Sequence, residues 1–429
     1  MPSISNRLRL TLTPGLIAIA SVITLIAAPT LREGVAIAIA IALALAGVAT
    51  LSITTLHSSH PVVARAVITV VLLDVALFAT FFFSEPTNFN LATGAAMAIV
   101  LLGLSFLTGA SGQISLGNGA FMGVGGFTMA IWANHHATTP IVVTLLLAVA
   151  AGAVVGLLLG LPATRLRGPY LAGMTLAFAL AFPSILNSFS SWTGGDSGLQ
   201  LTSEASPPHW LVSFFHSGTS LITTSTLWLT DITIVVTGVA FFFMANLFSS
   251  RTGRAMRLIR DNDVAAELVG VSLPRTRVIA FIVSSSYAAL GGAMWTLINN
   301  SVSPSTYSFA LSITILSLIV IGGIGTIPGA LIGGIIYAYS TNVITWFTAH
   351  TGLNPQGNLA SQLDGIIFGG LLILTMLFSP LGIVGMVRHM WHNHKLRARS
   401  RGDLQPAAAG RTLATERSTI GGNTNNGKS

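Results

Sequence analysis

The last nine residues, GGNTNNGKS, carry Gly422, Gly427, Lys428 and Ser429 at the spacing of a phosphate cradle, G-x-x-x-x-G-K-[ST]. Such a loop holds a nucleotide only when a buried strand leads into it and a helix leaves it, so that backbone N–H groups converge on the phosphates. The residues before it, RSRGDLQPAAAGRTLATERSTIGG, are small and polar without strand periodicity, and no helix follows Ser429. The expectation is a disordered tail and no nucleotide site. Asp74 is a second candidate, because a carboxylate in the middle of an apolar run costs several kcal/mol unless it is paired or faces water. A proton-coupled transporter would use such a group. It stands nearly alone: Asp231 and Asp364 fall at the ends of apolar runs, and no basic residue lies deep in one. The reading preferred here is a neutral or locally hydrogen-bonded carboxyl in an accessory helix.

The ten histidines show no HExxH spacing. His135, His136, His389, His392 and His394 fall at the ends of apolar runs or in the tail, and no Ser–His–Asp arrangement can be inferred. With no cysteine, disulfides and thiolate metal sites are excluded. No enzyme activity, metal or cofactor is expected. The remaining polar cluster lies in LTGASGQISLGNGAFMGVGGFTMAIW, residues 107–132, where Gln113, Ser115 and Asn118 bring hydrogen-bonding groups into an apolar stretch. Six glycines fall between Gly112 and Gly126, each costing about 1 kcal/mol inside a helix relative to alanine. Two readings fit these residues: a kinked or broken segment lining a polar pathway, or close helix contact at the Gly119–Gly123 small-xxx-small pair with polar groups as glue.

The elements that must position these residues are membrane spans. Hydrophobic residues make up 52% of the chain and charged residues 7%, with a mean hydropathy of +0.78, against about 25% charged residues in soluble domains. Apolar runs of about 20 residues occur at 14–30, 35–56, 66–83, 91–108, 114–132, 140–161, 171–189, 228–248, 278–298, 308–326, 327–348 and 361–379. The fold class expected is therefore all-α, a polytopic transmembrane bundle of about twelve spans. The segment 114–132 and the pair joined at GGIGTIPG are the ones expected to be broken or re-entrant, since irregular backbone survives only where protein or a water-filled cavity satisfies it. With an N-terminus on the inner side, Arg7, Arg9, Arg65, Arg165, Arg167, the six arginines of 251–277 and the eight basic residues from Arg388 onward share one face, leaving only Arg32 outside. This positive-inside pattern predicts both termini in the cytoplasm. The net charge of +8 is then topological and requires no nucleic acid, while the basic tail is suited to anionic lipid. NRLRLTLTPGLIAIASVITLIAAPT has the look of a signal peptide, but the charge parity needs it retained as a first helix.

SGQISLGNGAFMGVGGFT resembles the signature of the branched-chain amino acid ABC transporter permeases, approximately GQ-[IV]-SLGH-x-xFFGIGAYT. RLRGPYLAGMTLAFA at 165–179, TGGDSGL at 193–199, SRTGRAMRLIRDNDVAAELVGV at 250–271 and SVSPSTYSFALSITILSLIVIGGIGTIPGALIG at 301–333 match later segments in order. The resemblance covers roughly residues 91–380. Asn118 stands where many relatives have histidine, and Met122 and Phe127 replace common aromatic choices, which leaves substrate identity open.

From its residues alone, the loop 249–277 reads as a solvated loop carrying a short helix: Asp261 and Asp263 are N-cap candidates, Gly270 a stop, and Pro274 ends any continuation. The resemblance implies more. The matching segment is the coupling element that seats in a cleft of the partner ATPase, which carries over onto Arg254, Arg260, Asp261, Asn262, Ala266, Glu267 and Gly270. On the pathway reading of 107–132, Gln113, Ser115, Asn118, Gly119, Phe121 and Gly123 line a substrate path, and the resemblance adds Ser303, Pro304 and Phe309 as weaker candidates. Two glycine ladders, Gly152–Gly156–Gly160 and Gly325–Gly329–Gly333, read as packing faces. The organisation expected is accessory helices in 1–90, a permease core in 91–380 and a basic tail in 381–429. The resemblance implies cytoplasmic ATPase subunits, a second related permease and an extracytoplasmic binding protein; the aromatics of the outer loop 190–227 (Trp192, Trp210, Phe214, Phe215) suit docking of the last or a lid over the pathway. The function expected is the pathway subunit of an importer in a prokaryotic cell membrane. Branched-chain amino acids are the family default, with urea, amides or another small polar solute as alternatives and a proton-coupled transporter using Asp74 as the rival class.

Overall fold

The computed structural model describes residues 61–80, 83–136, 139–166, 168–201 and 225–351, with 370, 373 and 382–386. The predicted spans 14–30, 35–56 and most of 361–379, the tail from 387 onward, Arg32, Arg167 and residues 202–224 of the outer loop lie outside them. The helices are α1 (Pro61–Thr80), α2 (Glu85–Leu104, extended by a π turn at Ser105–Ala110), α3 (Asn118–His135), α4 (Ile141–Ala163) and α5 (Pro169–Ser188). They continue as α6 (Ser225–Ser249), α7 (Arg251–Asp261), α8 (Asp263–Leu268), α9 (Leu273–Asn299), α10 (Phe309–Gly322) and α11 (Ile327–Thr351). Strand among the described residues is confined to an antiparallel pair, β1 (Leu199–Gln200) with β2 (Ser301–Val302), registering Leu199 opposite Val302.

Among the described residues, five helical stretches are long and apolar enough to cross a membrane: Glu85–Ala110, Ile141–Ala163, Pro169–Ser188, Thr226–Ser249 and Leu273–Asn299. Ile68–Leu77, Phe309–Gly322 and Ile327–Ser340 are apolar but shorter. The expected 114–132 span begins as irregular chain and becomes helix only at Asn118. The 308–326 span is a helix of 14 residues, about 21 Å long at 1.5 Å per residue, short of a 30 Å hydrocarbon core.

Helix α9 is the hub, packed on α4, α3 and α2 through small residues. A Cβ on Gly152 would lie 2.5 Å from Ala289 Cβ, and one on Gly156 would lie 1.9 Å from Ser285 Oγ, so the ladder on α4 is a packing face as its spacing implied. The contact with α3 is closer still: a Cβ on Gly125 would sit 1.9 Å from the Ala289 carbonyl oxygen, and one on Gly292 would sit 1.9 Å from that of Met122. In lipid such approach is what holds helices together, because tails are as apolar as leucine. The second ladder is not one helix face. Gly325 lies in the turn before α11, against Gly109, while Gly329 and Gly333 are on α11.

Helix α1 is fastened to α6 at both ends. Arg65 donates to the Ala245 carbonyl (3.3 Å), to Asn246 Oδ1 (3.2 Å) and to Ser249 Oγ, and Thr80 Oγ1 donates to Asp231 (3.0 Å). Asp74, between them, is half-buried and makes no hydrogen bond or ion pair among the described residues. Arg65, Arg165 and the six arginines of 251–277 all lie at one end of the bundle, where Gly382 also packs on Gly323.

Candidate functional site

At that arginine-bearing end the π turn closes α2, and the chain then breaks. Gly112 has φ +70°, a conformation that side chains with a Cβ resist. Gln113 N–H reaches back to the Leu107 carbonyl (3.3 Å), and the chain stays irregular until α3 starts at Asn118. Helix starts leave N–H groups without internal partners; here neighbouring helices supply them. Leu116 N–H donates to Thr175 Oγ1 on α5, and Gly119 N–H to Ser312 Oγ on α10, each at 3.0 Å. Ser115 Oγ accepts from Gly117 N–H (3.3 Å).

All six expected pathway residues are buried. Ser312 seals Gly119, Phe182 and Tyr307 close over Gly123, and Phe121 stacks obliquely on Phe178 with centroids 5.6 Å apart. The two amides are different. Gln113 and Asn118 are 7% and 1% exposed, and no nitrogen or oxygen of either side chain has a partner among the described residues. An unsatisfied buried polar group costs about 1–3 kcal/mol, so these four atoms are a standing penalty within the chain alone.

The second structure at this end is the α7–α8 element. Ser250 caps α7 by accepting from Gly253 N–H (3.3 Å), and Gly253, Met256 and Ile259 form its buried stripe. The start of α8 is capped by Asn262, whose Oδ1 accepts from Val264 and Ala265 N–H at 3.0 and 3.1 Å. The expected caps Asp261 and Asp263 are not used so. Each carboxylate instead holds an arginine: Asp261 pairs with Arg260 (3.2 Å) and Asp263 with Arg277 (2.7 Å). Gly270, at φ +82°, ends α8. Its N–H donates to the Glu267 carbonyl (2.9 Å) and Val271 N–H donates to the Ala266 carbonyl (3.0 Å), the paired bonds of a Schellman stop. Ala266, Ile259 and Leu273 pack as a small core beneath it. Pro274 does not end a helix; it occupies the first turn of α9, where its missing N–H costs nothing.

Between break and element lies a cavity of about 380 Å³, lined by Gln113 and Ile114 on one side, Leu171 on α5, and Arg260, Asp263 and Arg277 on the other. The side chain of Arg260 crosses its rim. One guanidinium N–H donates to the carbonyl of Gly109 in the π turn, and a Cβ on Gly112 would lie 2.8 Å from Arg260 Cγ. Thus two sets of residues that the sequence presented separately meet in space. Arg254 stays apart, donating to the Ser249 carbonyl (2.7 Å), and Glu267 is exposed.

Residues 87–376 match the family model described as branched-chain amino acid transport system / permease component. The chain belongs to this permease family. The permease is 28% identical over 332 residues to the high-affinity branched-chain amino acid transport system permease protein LivM of Escherichia coli (strain K12), covering 74% of this chain and 75% of that protein. LivM of Salmonella typhimurium is 28% identical over 312 residues, 70% of each chain. LivH of Escherichia coli (strain K12) is 26% identical over 215 residues, 49% of this chain and 64% of that protein. No solved structure matches the permease. Sequence reasoning missed Thr175, Phe182, Tyr307 and Ser312, which act on the break from distant segments. It also missed α7, although the spacing of Gly253, Met256 and Ile259 is a readable helical stripe.

Proposed function

We propose that this permease is the membrane pathway subunit of an ATP-driven importer for branched-chain amino acids, with ATP hydrolysed by a separate subunit that docks on α7–α8. The observation that carries the reading is an apolar ledge on a rigid mount. On α8 Val264 is 67% exposed and Leu268 84%, with Val269 at its end 70% exposed, on a helix of six residues that is too short to hold itself in water. The Asn262 cap, the Gly270 stop and the Asp263–Arg277 pair hold it in place without a partner, and a partner's cleft would take the ledge. By the positive-inside pattern this end is cytoplasmic, as are both termini. The organisation proposed is accessory helices in 1–90, the core in 91–380 and a basic tail beyond. A second related permease completes the pore, and an extracytoplasmic binding protein delivers solute.

The substrate class rests on the relatives' names. The amides of Gln113 and Asn118, without partners among the described residues, support a polar pathway at the break; Phe182, Tyr307 and Ser312 pack on Gly123 and Gly119 in the helix that follows it. Docking and hydrolysis would tilt α6 and α9 through the element joining them and open the break to one side at a time.

The test is the initial rate of labelled leucine uptake with and without the gene, with unlabelled valine, urea and ribose as competitors, after ATP depletion and after a protonophore. A valine-competed, ATP-dependent rate that disappears on deletion is the expected result. Competition by urea alone would move the substrate class. Uptake that collapses with the protonophore while ATP stays high would replace this reading with one centred on Asp74. Asn118→Leu is the companion variant: it removes an unsatisfied buried amide, so folded yield should hold or rise while uptake falls.

A further inference from the structure

We infer that Arg260 is a strut that carries displacement of the α7–α8 element directly onto the broken end of α2, making it a positioning residue for transport; this rests on the importer reading. Three contacts define the strut. Its guanidinium donates to the Gly109 carbonyl, where Gln113 N–H, the expected helical donor four residues on, has turned to Leu107 instead. Arg260 thus caps α2 from another element, satisfying a terminal carbonyl that the helix leaves open. Its Cγ packs where Gly112 lacks a side chain, at the residue whose positive φ starts the break. Asp261 accepts from Nε and Nη2 of the same guanidinium, both at 3.2 Å, which fixes the fork's direction.

The receiving end is equally confined. A Cβ on Gly109 would lie 2.0 Å from Cα of Gly325, so the π turn is held between Arg260 and the α10–α11 turn. Phe106, in the same turn, meets Phe248 at the end of α6 edge-on, with ring centroids 5.2 Å apart. A shift of α7 therefore cannot leave the π turn in place without breaking a charge-assisted hydrogen bond and opening a packed contact. Single π turns are rare within helices and frequent at functional sites. The route bypasses the length of α6 and α9: the stroke reaches Gly112 through one side chain.

The experiment uses the full transporter, purified with its ATPase, second permease and binding protein and reconstituted in vesicles, and reads leucine uptake and ATP hydrolysis together. Arg260→Met keeps the aliphatic packing on Gly112 and removes the donor; Arg260→Lys keeps a donor. The strut predicts that Arg260→Met lowers uptake per ATP hydrolysed roughly tenfold, the factor expected for one hydrogen bond from a charged group, with membrane level and ATPase rate retained. Arg260→Lys should recover most of the ratio. An unchanged ratio in Arg260→Met would overturn the strut. So would a parallel loss of hydrolysis and of the ATPase from the purified complex, which makes Arg260 a docking residue and leaves the importer reading intact. A wild-type complex without ATP-dependent uptake would instead remove the importer reading itself, and the two failures are read in separate samples.

Discussion

The break at 111–117 and the α7–α8 element face each other across one cavity but are held by opposite means. At the break and its two flanks the backbone borrows hydrogen bonds from Thr175, Ser312 and Arg260, each on a different helix, and two buried amides have no partner among the described residues. In α7–α8 the caps are local: Ser250, Asn262 and Gly270 close their own ends, and the apolar residues left over point outward. A region whose satisfaction depends on distant helices changes when those helices move. A region that satisfies itself can move as a unit and present a fixed surface. The pairing suits a machine in which one part is pushed and the other yields.

That comparison can be broken at its foundation by crowding the bundle rather than either region. Gly125→Ala puts a methyl group against the Ala289 carbonyl, where neither backbone can give way, and the expected destabilisation exceeds about 3 kcal/mol, the upper end of overpacking costs. It should be read as loss of the monodisperse peak in detergent, and a normal peak would show that α3 and α9 can part far enough to admit a methyl group. Removing the tie between α8 and the bundle comes next. Arg277→Met leaves Asp263, one-third exposed, free to rehydrate, so about 1.5–3 kcal/mol is expected from the lost charged hydrogen bond. Uptake should fall while membrane level is kept; uptake at the wild-type rate would mean that α8 needs no mount. Gly270→Ala meets no atom within 4 Å, so its cost is conformational only, about 1 kcal/mol. A slightly lowered melting temperature with reduced uptake sharpens the contrast. A stability loss as large as that of Arg277→Met would place a hidden contact there. Smallest of all is Asp74→Asn, expected to change neither uptake nor level, since Asp74 touches neither region; lost uptake at normal level would make the proton-coupled reading the better one.

Much of this was legible in residues. Runs of apolar sequence found the helices, and their ends shifted by a few residues where caps intervened: Leu273 rather than 278 starts α9, because Pro274 favours a first turn. The glycines of 112–126 left a broken segment and a close helix contact both open, and the structure has each in turn, irregular chain to Gly117 and packed helix from Asn118; Gly270 marked a stop by its position. The N-cap of α8 was misread because Asp261, Asn262 and Asp263 are all good caps; the choice fell to Asn262 once the two carboxylates were drawn to Arg260 and Arg277, and one of those arginines is fourteen residues away from its acid.

What the sequence by itself determined is the apolar solvent, the helical class and the permease family, because hydropathy, glycine placement and ordered motifs are local properties of the chain. What only the tertiary structure decided is which side chains answer the break: Ser312 and Thr175 for N–H groups at and just after it, Arg260 for the Gly109 carbonyl, and none among the described residues for Gln113 and Asn118. Hydrogen-bond partners and contacts under 3 Å depend on how helices far apart in sequence cross, and no local pattern encodes that distance.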